Sequence, residues 1–158
     1  MKIILVLTGK TDDSYVKEGF TLYEKRLQRY VKIETIEIPA LINAKNLDSS
    51  QVKEKEADSQ LKYIADGEFV VLLDENGKEY RSVEFAGFLQ QRMNSSVKKL
   101  IFIVGGPYGF SERIYKKAEA KISLSKMTFS HQIVRLLFME QLYRAFTIIR
   151  NEPYHHEG

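Results

Sequence analysis

Gly105-Gly106-Pro107-Tyr108-Gly109, set between the apolar run Leu100–Val104 and Ser111, is the stretch of this 158-residue chain best suited to chemistry. Glycines bring bare main chain close to a ligand, and Pro107 forbids an incoming strand to continue. Ser111 takes an N-cap position with Glu112 in the first helical turn, so the stretch reads strand, glycine loop, helix start. Backbone groups in such a place point at a bound molecule. The loop has neither the Gly-Lys-Ser/Thr end of a Walker loop nor the G-x-G-x-x-G spacing of a dinucleotide turn. Taken alone, it serves equally as a tight turn or as a ligand wall.

A second group of reactive side chains lies near the end of the chain: Arg144, four residues after Glu140, and the tail residues Tyr154, His155 and His156. Arg144 at that spacing either forms a helix ion pair or offers a cation to a substrate. Two adjacent histidines without a third ligand make no metal site, and none is expected. His131 reads as a helix cap or a packed side chain. The chain has no cysteine, which excludes disulfides, thiolate catalysis and Cys-based zinc sites.

The elements that must hold these residues follow from the apolar pattern. Lys2–Leu7, the β-branched run Ile33–Ile38, Phe69–Leu73, Leu100–Val104 and Ile122–Ser125 read as strands. Between them, helical spacing runs from about Asp13 to Tyr30, through a charged and largely exposed segment from Ser50 to Ala65, from Val83 to Met93 with Ser82 as cap, and from Glu112 to Ala118. Asp74-Glu75-Asn76-Gly77 reads as a turn after the third strand. His131–Ile149 is the longest helix, and its apolar residues cover most of its circumference. One face can bury against the sheet; the rest calls for a partner, another copy of the chain. Strands alternating with helices give an α/β domain with a mainly parallel sheet and helices on both sides, whose ligands sit at the carboxyl ends of the strands. Loops after Leu73, Val104 and Leu124 share that edge.

Length and composition bound the answer to one globular domain, with 44% hydrophobic residues and 28% charged ones. The run Ile3–Leu7 is too short to cross a membrane and no signal-peptide pattern follows it, so a cytoplasmic protein without a membrane partner is expected. Residues 98–158 carry 10 Lys+Arg against 5 Asp+Glu, whereas residues 1–97 carry 14 against 16. Lys98, Lys99, Lys116, Lys117, Lys121 and Lys126 are then either a basic face for nucleic acid or a solvated surface.

The segments YEKRLQRY, LLDENGKEY, IVGGPYG, LSKMTFSHQIVR, EQLYRAF and NEPYHH resemble, in order and over the whole chain, the motifs of the RlmH family. These are small SPOUT-class methyltransferases that modify a pseudouridine of 23S ribosomal RNA at N3. The resemblance implies an α/β-knot fold over residues 1–158 with a C-terminal deep trefoil knot, which general topology rules disfavour. It implies a homodimer acting on 23S ribosomal RNA or the ribosome. It puts S-adenosylmethionine against Leu73, Gly105, Leu124, Ser125, Lys126, Met127, Thr128 and Phe129, with Leu73, Leu124 and Met127 about the adenine. From the pattern alone those three read as plain core residues. Around the RNA base it puts Arg144, Tyr154 and His155: Arg144 to stabilise a developing imide anion, Tyr154 and His155 to position the base, and His155 to accept its proton. His156 stands where relatives commonly carry Arg or Lys, a weaker grip on phosphate. A tRNA-modifying enzyme of the same class and a non-catalytic RNA-binding module are the rival readings.

Overall fold

A computed structural model describes residues 1–156; Glu157 and Gly158, the last positions of the expected domain and tail, lie outside the described residues. Strands and helices alternate: β1 (Lys2–Thr8), α1 (Ser14–Leu27), β2 (Lys32–Ile38), α2 (Ser49–Gln60), β3 (Phe69–Glu79), α3 (Ser82–Met93), β4 (Lys99–Val104), α4 (Glu112–Lys117), β5 (Ala120–Ser123) and α5 (Ile133–Ile149). One sheet results, in the order β2-β1-β4-β3-β5, with every neighbouring pair parallel.

The unbroken apolar runs explain this arrangement, because a strand covered on both faces can place no polar residue on either. Ile3, Leu5 and Leu7 of β1 join Leu100 and Phe102 of β4 in the core under α1, α3 and α5. Their neighbours Ile4, Val6, Ile101 and Ile103 face the opposite way, toward Ala57 of α2 and Ile114 of α4. Phe102 meets Phe138 of α5 at a ring separation of 4.8 Å. Among the described residues no helix is long and apolar enough to cross a membrane, and no group of three or more acidic or histidine side chains could hold a metal.

Several local expectations are corrected. The segment 74–77 does not end β3: it is a bulge, and pairing with β5 shifts from Leu73↔Ile122 to Lys78↔Ile122. Asp74 Oδ1 accepts from the Asn76 N–H (2.9 Å), which closes the bulge. A Cβ on Gly77 would stand 2.6 Å from the Lys121 carbonyl carbon, so only glycine lets the strand return to β5. β5 stops at Ser123 because the Ser123 hydroxyl donates to the Ser125 carbonyl (2.8 Å) and turns the chain. Ser82 is not the cap of α3. Arg81 holds that position, its N–H donating to Glu84 (2.8 Å), while Ser82 donates to Gln141 of α5 (2.9 Å). His131 caps nothing, since the Ser130 hydroxyl accepts from the first N–H of α5 (3.1 Å).

The charged helix α2 is less exposed than its composition suggests. Val52, Glu56, Ala57 and Gln60 are buried along one side. Glu56 is only 8% exposed and its Oε1 has no hydrogen-bond partner; burial pushes its carboxyl up to about 7.

Arg135, on α5, is wholly buried. Its guanidinium donates to the carbonyls of Thr8 (2.9 Å), Gly9 (2.9 Å) and His131 (2.9 Å) and to the Thr11 hydroxyl (2.9 Å). Gln132 works beside it: Oε1 accepts from the Asp12 N–H (2.7 Å) and Nε2 donates to the Lys10 carbonyl (2.9 Å). Together they tie the start of α5 to the loop after β1.

Arg135→Met strands those carbonyls inside the fold and should cost about 3 kcal/mol or more, read as a lower midpoint in urea unfolding; Arg135→Lys should fall between. For Glu56, the folded carboxyl titrates near 7 against an ordinary 4.5. The unfolded chain therefore releases this proton first. Stability from the neutral form is complete below about pH 4.5 and lost as pH rises through about 7. Urea unfolding should show Glu56→Gln gaining on wild type between pH 4.5 and 8, by about 1 kcal/mol or more.

Candidate active site

The loops after Leu73, Val104 and Ser123 meet at the carboxyl edge of β3, β4 and β5 and enclose a hollow of about 330 Å3. Of the sequence-derived positions, Leu73, Gly105, Leu124, Ser125, Met127, Thr128 and Phe129 line it, and Lys126 does not. Lys126 points outward to Glu79 (3.8 Å).

Each wall has a local cause. A Cβ on Gly105 would stand 3.1 Å from the Phe110 ring, so the chain leaves β4 with no side chain there. Gly109, at φ +85°, closes a tight turn by donating to the Gly106 carbonyl (3.2 Å). The turn and one wall of the hollow are the same stretch of chain. On the third loop, Ser125 Oγ accepts from the Met127 N–H (3.0 Å). Thr128 donates to Glu75 (2.9 Å) and Tyr115 to Asp74, which pins this loop and α4 to the β3 bulge. Burial first, then the Asp74 bond, holds the Tyr115 phenol above the usual tyrosine range.

Met127 is 77% exposed, Tyr108 55% and Phe129 37%. An apolar rim left in water beside a concavity marks a surface that a ligand covers. Met127 is therefore no core residue, whereas Leu73 and Leu124 both line the hollow and pack on the core.

Arg144, Tyr154 and His155 form a separate cluster, and none of them lines the hollow. Glu140 is its centre. Its Oε1 accepts from Arg144 Nε (3.1 Å), Arg144 Nη2 (2.6 Å) and the Tyr154 hydroxyl (3.0 Å). Arg144 Nη1 lies 3.1 Å from His155 Nδ1; a guanidinium only donates, so Nδ1 accepts and a neutral ring carries its proton on Nε2. The Arg144 guanidinium also sits 4.8 Å over the Tyr154 ring, which meets Tyr143 edge-on. Hydrogen bonds to Glu140 push the Arg144 pKa up, and burial holds the Tyr154 phenol well above its ordinary range. The helix ion pair expected of Arg144 and Glu140 is thus present. A further cavity of about 380 Å3 is lined by Leu124, Phe129 and Glu140, joining the back of the third loop to this cluster.

The six lysines do not make one face. Lys99 pairs with Glu68 (3.4 Å) and Lys117 with Asp66 (3.5 Å). Lys99 starts β4, at the end of the sheet away from the hollow. Sequence reasoning missed Glu56, Gln132 and Arg135. A carboxylate in a charge-rich helix and an arginine in an apolar one carry no signal until packing shows which side is buried.

A family model described as "Predicted SPOUT methyltransferase" matches residues 1–155. The chain is 57% identical over 156 residues to Ribosomal RNA large subunit methyltransferase H of Christiangramia forsetii, covering 99% of each chain. It is 54% identical over 157 residues to the protein of that name from Parabacteroides distasonis, covering 99% of this chain and 100% of the relative. In fold it is similar to a probable methylase family protein from Haemophilus influenzae, with a TM-score of 0.50 at 12% identity over 95% of this chain and 66% of that one. With a parallel α/β sheet and a hollow at its carboxyl edge, the chain belongs to the SPOUT methyltransferase family.

Proposed function

We propose that this protein transfers a methyl group from S-adenosylmethionine to N3 of a pseudouridine in 23S ribosomal RNA, on the assembled ribosome or large subunit, in the cytoplasm. What carries the reading is near-full-length identity, 57% over 156 residues, to a relative named for large-subunit ribosomal RNA methylation. Neither tRNA nor a purely binding role draws support from such relatives.

The hollow suits the donor. Leu73, Leu124 and Met127 offer apolar surface to a flat base, and main chain at Gly105 and Ser125 offers polar edges. Asp74 and Glu75 line the same space and suit a cationic centre. When bound, S-adenosylmethionine supplies an electrophilic methyl group. The rest falls to the chain's own residues. The base loses its N3 proton first, leaving negative charge on N3 and the imide oxygens; N3 would then bond the methyl carbon as the S–CH3 bond breaks, which returns the base to neutral and releases a neutral thioether. Arg144 stabilises that charge by moving its Nη1 donor from His155 Nδ1 to an imide oxygen. The same move uncovers Nδ1, which then takes the proton. Tyr154 holds the base in line.

None of Arg144, Tyr154 and His155 lines the hollow of its own chain, and this favours a homodimer in which each protomer's tail completes its partner's hollow. Ile133, Leu137 and Ile148, only half-buried, share the side of α5 that also carries Arg144. That side is the interface in this reading. Residues 1–158 then act as one SPOUT domain whose C-terminal part is threaded as a deep trefoil knot.

Labelled S-adenosylmethionine incubated with ribosomes lacking the modification should place label on N3 of a 23S pseudouridine; label on tRNA, or on no RNA, overturns the reading. In the same assay His155→Ala should lower kcat by about a hundredfold, and a near wild-type rate would remove the proton-acceptor role. Gly105→Trp should weaken cofactor binding by calorimetry by at least about tenfold, and full affinity would relocate the donor.

A further inference from the structure

A second cavity, of about 300 Å3, opens on the other side of the glycine loop. It is bounded by the end of β1, the segment after β2, and α2, and it shares Pro107, Tyr108 and His131 with the first hollow. Ile38, Leu41, Leu47 and Val52 give it apolar wall, and Glu56 lines it beside them. Glu56 as a residue is 8% exposed, and its Oε1 is buried and has no partner. It is also built into the loop: a Cβ on Gly106 would stand 2.3 Å from Glu56 Oε2, so the main chain of the loop rests against the acid.

A buried polar atom without a partner is costly and needs a reason. The fold itself supplies none, because α2 is already held by Val52 and Ala57 in the core and by the Gln60 Nε2 bond to the Thr8 hydroxyl (2.9 Å). No Lys or Arg is among the described residues that line this cavity, so a phosphate finds no such counter-charge there. Apolar wall with one acid suits a flat ring with a polar edge. Proteins that read RNA take single unstacked bases in this way, hydrogen-bonding the edge and covering the face with an aromatic or imidazole ring. Tyr108 and His131, on the boundary of both cavities, can supply that ring.

We propose that this cavity receives one unstacked base of the RNA substrate, with the Glu56 carboxyl hydrogen-bonded to its polar edge. The proposal rests on the ribosomal RNA reading above. With the carboxyl held neutral up to about 7, Glu56 presents one donor and one acceptor side by side. A base edge offers the complementary pair.

The test compares Glu56→Leu, which deletes the polar atoms without burying a charge, with Glu56→Gln, which keeps a donor and an acceptor. On ribosomes lacking the modification, Glu56→Leu should raise KM for ribosomes at least about tenfold, while Glu56→Gln stays within about threefold of wild type. The dissociation constant for S-adenosylmethionine should stay within about twofold in both. A wild-type KM in Glu56→Leu, or a loss matched by weaker cofactor binding, overturns the base pocket alone. A wild-type protein that labels no ribosomes overturns the ribosomal RNA reading and the pocket with it.

Discussion

A buried guanidinium needs acceptors around it, and in this protein that need joins the two ends of the fold. Arg135 can be wholly buried only because the carbonyls of Thr8, Gly9 and His131 and the Thr11 hydroxyl surround it. Desolvation pulls its pKa down, with Glu37 and Asp12 opposing. The bonds leave the first turn of α5 one position relative to β1. From there the loop 124–132 has to run back across the carboxyl edge of the sheet, where it becomes the third wall of the hollow. His131, one of the residues bonded to Arg135, is thereby held on the boundary of both cavities.

The parts of the fold legible in the sequence are those in which one property decides the outcome. Leu100–Val104 is apolar throughout and is a strand buried on both faces. The three loops meet at one edge because parallel strands put their carboxyl ends together. Less legible were places where two local signals compete. Asp74-Glu75-Asn76-Gly77 has turn chemistry, yet pairing with β5 resumes beyond it and makes the turn a bulge. Ser82 has the side chain of a cap and spends it on Gln141. Lys126 falls within a run whose other members face the hollow, but a turn at Ser125 sends it outward. Glu56 was illegible for a different reason. One acid among the many charges of α2 differs from its neighbours only in the direction it faces.

The Arg144 cluster carries its own tension. Glu140 Oε1 takes three donors, so it orients Arg144 and Tyr154 and also competes with any anion for the same guanidinium. An arginine held this way is pre-aimed rather than free. In the reaction proposed above, its side-chain entropy would already be lost before RNA arrives, and the Nη1 contact to His155 would be exchanged.

The sequence distance spanned by the Arg135 clamp bears on how the protein is made. Its bonds to Thr8, Gly9 and Thr11 cross 124 to 127 positions, and β1 waits for β4 before both of its edges are paired. Contacts so distant along the chain form late, because loop closure must precede them. A nascent chain still short of Arg135 has the apolar strands but not the anchor. The third wall of the pocket is therefore fixed only once the last helix has docked on the first strand's loop.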